Sequence, residues 1–108
     1  MINNLTLGEA LEILKKQDPT SIIKLGWSKG SGHSYREYYH ELGLEPVYNV
    51  SIQEMIDELE NMIGATRTGW KGGEYEYWED SMINLSKKGT RGTPISDILL
   101  EYMIKDTI

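Results

Sequence analysis

Residues 51–63 read S-I-Q-E-M-I-D-E-L-E-N-M-I, and this stretch decides the fold class. Ile52, Met55, Ile56, Leu59, Met62 and Ile63 recur at three- and four-residue spacing, which lays one unbroken apolar stripe along a helix. Ser51 is placed to cap that helix, and Glu54, three positions on, completes a capping box. Gly64 suits the position just past the helix end, where a left-handed backbone closes the last turn. The acids Glu54, Asp57, Glu58 and Glu60, with Glu74 further on, read as a solvated face.

Upstream, residues 5–17 predict a second helix, with Thr6 as N-cap, Glu9 closing another box, and Leu7, Ala10, Leu11 and Leu14 on one face. Lys15 and Lys16 complement its C-terminal dipole, and Asp18-Pro19 stops it. Ser21–Trp27 is short and β-branched at its start, as a strand is, and Ser28–Ser34 is a loop by composition. Tyr35–Leu44 fits a strand with an irregular start, or a helix capped by Ser34, before Glu45-Pro46 ends it.

Downstream, Glu74–Trp78 alternates as a strand would, and Met82–Ser86 reads as its hairpin partner across a turn at 79–81. Lys87–Thr93 is a glycine-containing loop, and Thr93-Pro94 resembles an N-cap followed by the first helical residue. Ile95, Ile98, Leu99, Tyr102 and Met103 then fit one helical face, with a strand pair through Ile98–Ile104 as the alternative. Together these elements predict one α+β domain over residues 1–108: a small, mostly antiparallel sheet with two or three helices packed on one face.

Composition narrows the function. The net charge of −6 repels DNA and RNA polymers, whose binding rests on phosphate neutralisation. There is no cysteine, which excludes disulfides and thiolate metal sites and suits a reducing cytoplasm. No run is long enough to span a membrane, and the first residues lack a basic-then-apolar leader pattern. Phe is absent while three Trp and seven Tyr are present, so every aromatic carries a hydrogen-bonding group. Seven of those ten fall within 35–39 and 70–78. Exposed aromatics on a small acidic domain predict a homo-oligomer.

Thr66–Trp78, T-R-T-G-W-K-G-G-E-Y-E-Y-W, is the densest chemical stretch. Gly69, Gly72 and Gly73 allow close backbone approach and offer N–H groups to an anion. Arg67 and Lys71, beside Thr68, supply cations, and Arg36 and Arg91 lie in two other segments rich in Gly, Ser, Thr or aromatics. Trp70, Tyr35 and Tyr39 offer plates for a base to stack on. The bland alternative is a glycine turn leading into an edge strand, with Arg36 paired to an acid and the tyrosines in sheet core. His33 and His40, near Glu37 and Glu41, lack the tight spacing of a metal pair, so neither metal nor cofactor is expected. Lys71 is followed by Gly72-Gly73 and not by Ser or Thr, so this is not a P-loop. No nucleophile elbow or Ser-His-Asp order is present, and no catalytic residue is assigned.

Thr66–Tyr75, preceded by Ile63-Gly64, resembles the T-[FYR]-T-G-[YW]-K-G-G-[ED] signature of small uncharacterised proteins of tailed phages and prophages. Ser34-Tyr35-Arg36-x-Tyr38-Tyr39, followed by Leu42-x-Leu44-Glu45-Pro46, is similar to that family's S-Y-R-G-Y-Y…L-A-L-E-P block. Val50-Ser51-Ile52-x-Glu54-Met55 resembles its V-T-V-x-E-[ML] helix start, and Gly89–Thr93 its glycine/serine block. The chain departs at Glu37, where Gly is expected, at Gly43, where Ala is usual, and in its long C-terminal segment. The resemblance implies a phage accessory protein of the host cytoplasm. By analogy with compact α+β oligomers that counter host defences, it implies sequestration of a cyclic nucleotide or cyclic ADP-ribose signal. Two rivals are an acidic protein–protein inhibitor or nucleic-acid mimic, presenting the 51–63 helix to a basic partner, and a small nucleotide enzyme using Glu74 or Glu76.

Overall fold

A computed structural model describes residues 4–33, 41–68, 74–87 and 92–108, with 67–68 and 74–75 as backbone alone. Its elements run α1 (Leu7–Lys15), β1 (Ile22–Gly26), β2 (Gly32–His33), β3 (Leu42–Leu44), β4 (Val47–Ser51), α2 (Ile52–Met62), β5 (Thr66–Thr68), β6 (Glu74–Glu76), β7 (Ile83–Leu85), β8 (Thr93–Pro94) and α3 (Asp97–Lys105). The fold class is α+β, with mostly antiparallel pairing.

Both capping boxes form. Glu9 N–H donates to Thr6 Oγ1 at 3.3 Å while Thr6 N–H donates to Glu9 Oε1 at 2.9 Å. Ser51 and Glu54 repeat the exchange at 3.1 and 3.0 Å to start α2. Gly64 follows α2 with φ +76°, the left-handed geometry for which its lack of a side chain is suited. The apolar stripes of the two helices meet. Leu7, Ala10, Leu11 and Leu14 of α1 join Ile52, Met55, Leu59 and Met62 of α2 around Trp27, Leu42, Leu44, Tyr77 and Ile83. Trp27 is fully buried, and its indole N–H donates to the Met55 carbonyl at 3.1 Å. Each fully buried side chain of this size contributes about 1.5–3 kcal/mol.

The strands form three hydrogen-bonded groups: β1–β4, β2-β3-β7-β8, and β5–β6. Two sequence expectations change here. Glu74–Glu76 pairs with Thr66–Thr68 and not with the strand near 83, and the ladder continues through Tyr77 to Ala65 and Gly64. Thr-Arg-Thr, read only as part of a binding loop, has the β-branched alternation of a strand. A turn closed by Ser81 then releases the chain, so that β7 joins β3 in parallel and β8 antiparallel. Secondly, Thr93-Pro94 does not cap α3. It forms β8 at the sheet edge, where a proline's missing N–H costs no ladder bond, and Ser96 caps the helix by accepting from Leu99 N–H at 3.0 Å.

Two further differences are local. Leu100 and Met103 are the buried residues of α3, whereas Ile98 and Tyr102 of the expected inner face are exposed. That helix is apolar on almost every side, so spacing alone does not set its rotation. Tyr77, in the stretch whose alternation over 74–78 predicts a strand, is fully buried. β4 has no counterpart in the sequence reading. It pairs with β1 at Ile23↔Val50 and Leu25↔Tyr48, and Asp106 and Ile108 hydrogen-bond the other side of β1. No helix among the described residues is long and apolar enough to cross a membrane.

Candidate functional site

Most of the sequence-predicted site lies outside the described residues: Tyr35, Arg36, Tyr39, Gly69, Trp70, Lys71, Gly72, Gly73 and Arg91. Arg67 and Thr68 fall in β5, opposite Tyr75 and Glu74. What the fold does define is where each segment is anchored. Residues 34–40, 69–73 and 88–91 each join two antiparallel, hydrogen-bonded strands: β2 to β3, β5 to β6, and β7 to β8. Because β3 and β7 are parallel, 34–40 enters the central pair at its start and 88–91 leaves at its end. Three-residue strands put those anchors roughly 10 Å apart. The third segment belongs to a separate ribbon.

The sheet between the first two anchors has one apolar and one polar face. Leu42, Leu44 and Ile83 point into the core. On the other face His33, Gly43 and Asn84 occupy one cross-strand row, with Ser86 two positions beyond Asn84 and Glu41 two before Gly43. His33, Asn84 and Ser86 are buried although polar. Gly43 makes room for them. A Cβ there would lie 2.5 Å from His33 Cε1 and 2.7 Å from Ser86 Oγ, so an alanine does not fit. Glycine at position 43 is therefore a packing requirement of this chain.

The hydrogen bonds fix the proton on His33. Its Nε2 lies 2.9 Å from the Ser86 carbonyl, which only accepts, so Nε2 carries the hydrogen and the lone pair of the neutral ring is on Nδ1. Ser86 Oγ is 3.3 Å from the same Nε2. Because that nitrogen already bears a proton directed at a carbonyl, this serine and histidine are not poised as nucleophile and base. Asn84 Nδ2 donates to Glu41 Oε2 at 3.2 Å, which orients the amide. His33 Nδ1 and Asn84 Oδ1 are buried and have no hydrogen-bond partner among the described residues. A buried unsatisfied polar group costs about 1–3 kcal/mol, so two acceptors on one face form a place that a donor would stabilise.

Glu58 builds the approach to this face. It is buried, against the expectation of a solvated acid, and its carboxylate accepts from Gly30 N–H at 2.9 Å and Gly32 N–H at 2.6 Å. Gly32 also lies against Met62, where a Cβ would come within 2.8 Å of the sulfur. α2 thus holds the loop that delivers β2 and His33. The sequence carried a signal: Glu58 stands three residues after Met55 and four before Met62, on the edge of the apolar stripe. His33, Asn84 and Ser86 had none, because their meeting depends on the parallel pairing of β3 with β7. Among the described residues no group of three or more His, Cys, Asp or Glu could hold a metal ion.

No protein-family model, curated protein or solved structure matches the chain.

Proposed function

We propose that this chain is a non-enzymatic, oligomeric phage accessory protein that binds a small phosphorylated nucleotide signal in the host cytoplasm and withholds it from its receptor. The observation that carries the reading is a pair of buried acceptors on the polar sheet face, His33 Nδ1 and Asn84 Oδ1, that have no hydrogen-bond partner among the described residues. A nucleobase presents N–H donors at its edge; because both acceptors are shut off from solvent here, a base would reach them only by displacing the groups that cover them. The neighbouring connections supply the rest of what a nucleotide needs. Arg36 and Arg91 belong to the two that join strands of this same sheet, Trp70 and Lys71 to the third, and Arg67 to β5, which leads into it. The connections anchored on this sheet and on the β5–β6 ribbon thus carry, in their sequence, cations for phosphate and rings for stacking.

The acidic-mimic reading draws less support. Glu54 is engaged in the capping box, Glu58 is buried, Asp57 accepts from Gln53 at 2.8 Å, and Glu60 pairs with Lys15 at 3.3 Å. Burial of Glu58 and the ion pair at Glu60 leave Glu54 and Asp57, half of the four acids on α2, to present charge to a basic partner.

The test is a thermal-shift screen against cyclic oligonucleotides and cyclic ADP-ribose isomers. A ligand at a hundred times its Kd adds about 2.7 kcal/mol, roughly 12 °C for a chain of this length. Arg67→Ala and Trp70→Ala should remove the shift, and heat should return the ligand unaltered. A panel without any shift refutes the reading, and recovery of a converted product replaces it with an enzyme.

A further inference from the structure

Five large apolar side chains stand in solvent on β1, β4, α3 and the residues that follow α3. They are Ile22, Tyr48, Ile98, Tyr102 and Ile108, with Tyr48 74%, Tyr102 67% and Ile108 72% exposed. They are contiguous. Tyr48, Tyr102 and Ile108 border a groove of about 790 Å³ floored by Leu99 and Met103. Ile108 N–H donates to the Ile22 carbonyl at 3.0 Å, and Ile98 shares the adjoining depression with Tyr102.

Charge and area together select the occupant. The charged groups around these two depressions are Lys24 and Asp106, 3.5 Å apart, and Lys105 and Glu101, 2.8 Å apart. The face is locally neutral on a chain of net charge −6. It offers no electrostatic lure to a basic protein or to a polyanion, and it is where two copies meet with little repulsion. With roughly 150 Å² from each tyrosine, the five side chains expose about 600 Å², at the upper end of patches on monomers. Two such faces bury about 1,200 Å² in total, the lower bound of specific interfaces. The strand edge is a poorer route. Asn49, in mid-β4, has φ +58°, which breaks the regular edge that strand addition needs.

We propose that a second copy of this chain docks here, face to face about a two-fold axis, with Tyr48 and Tyr102 as the anchors. The interface is independent of nucleotide binding. Sedimentation equilibrium from about 1 to about 200 µM should show a dimer. Tyr48→Ser and Tyr102→Lys should each raise its Kd at least about thirtyfold, as anchor residues do, with circular dichroism confirming the fold. Trp78→Ser, which removes the half-exposed indole that borders neither depression, should leave the Kd unchanged. Amide exchange of the wild-type chain gives a reading free of variants: protection at 47–49 and 98–103 should rise with concentration. A chain that stays monomeric at the highest concentration overturns the proposal. So does a dimer that both folded tyrosine variants leave intact, or exchange at those amides that ignores concentration.

Discussion

Replacing Gly43 with alanine tests the polar sheet face directly. The added Cβ would sit 2.5 Å from His33 Cε1, 2.9 Å from His33 Nδ1 and 2.7 Å from Ser86 Oγ. Carbon atoms prefer separations of about 3.5–4.0 Å, so the overlap with the ring is about 1 Å. The ring cannot swing away without giving up its 2.9 Å bond to the Ser86 carbonyl. Overpacking of this kind costs about 1–3 kcal/mol, and loss of the hydrogen bond adds about 1 kcal/mol. A destabilisation of roughly 2–4 kcal/mol lowers Tm by roughly 9–18 °C in a chain of this length. Calorimetry and urea titration of Gly43→Ala, His33→Ala and the double variant read it out. Since the clash is with the imidazole, removing the ring should relieve it, and the double variant should be more stable than the summed single costs by at least about 1 kcal/mol. A single variant within about 0.5 kcal/mol of wild type, or costs that simply add, would refute the packing argument.

Three other outcomes follow from the geometry. Glu58→Ala strips the acceptor from Gly30 and Gly32 N–H and should cost about 3 kcal/mol by urea denaturation, with Glu58→Gln, which keeps one acceptor oxygen, recovering part; an alanine variant as stable as wild type would mean that the carboxylate holds nothing. Ser51→Ala removes the α2 N-cap and should cost about 1 kcal/mol, visible as a lower urea midpoint at unchanged slope. Asp18 is held below its ordinary value of 3.8 first by the Thr20 N–H and then by the Thr20 hydroxyl. A lowered folded value means that its contribution is present above that ordinary value and fades as pH falls through the lowered one. The small Tm gap between wild type and Asp18→Asn should therefore be constant above about pH 5 and close in stronger acid; a gap that widens there would reverse the sign.

The helices were legible because their signals are local. Ser51 and Glu54, or Thr6 and Glu9, lie within one turn, and their apolar stripes need only a surface to lie on. Strand existence near 22–26, 42–44, 74–76 and 83–85 was also readable from short β-branched or alternating runs. Partnership was not, because pairing is settled by residues far apart in the chain. β6 turned back on β5 through the connection at 69–73, and β7 left to pair with β3. β4 escaped notice because only four residues separate Pro46 from the α2 cap. The candidate site divides the same way. Composition drew attention to the arginines and glycines of the connections, which are chemically conspicuous. His33, Asn84 and Ser86 are ordinary in sequence and become a group only when the sheet assembles. Glu58 was misread because a carboxylate among carboxylates looks solvated until its backbone partners are known.

No tight turn can bring Leu42–Leu44 beside Ile83–Leu85, because the two run in the same direction. About forty residues must be made before the second strand can reach the first, and at roughly 5–20 residues per second that takes some seconds on the ribosome. Throughout that interval the nascent chain presents one side of β3 without its neighbour, a template for chaperones or for other nascent copies. Arrival of β7 is therefore the late event in maturation, and the amides of both strands should become protected together during refolding.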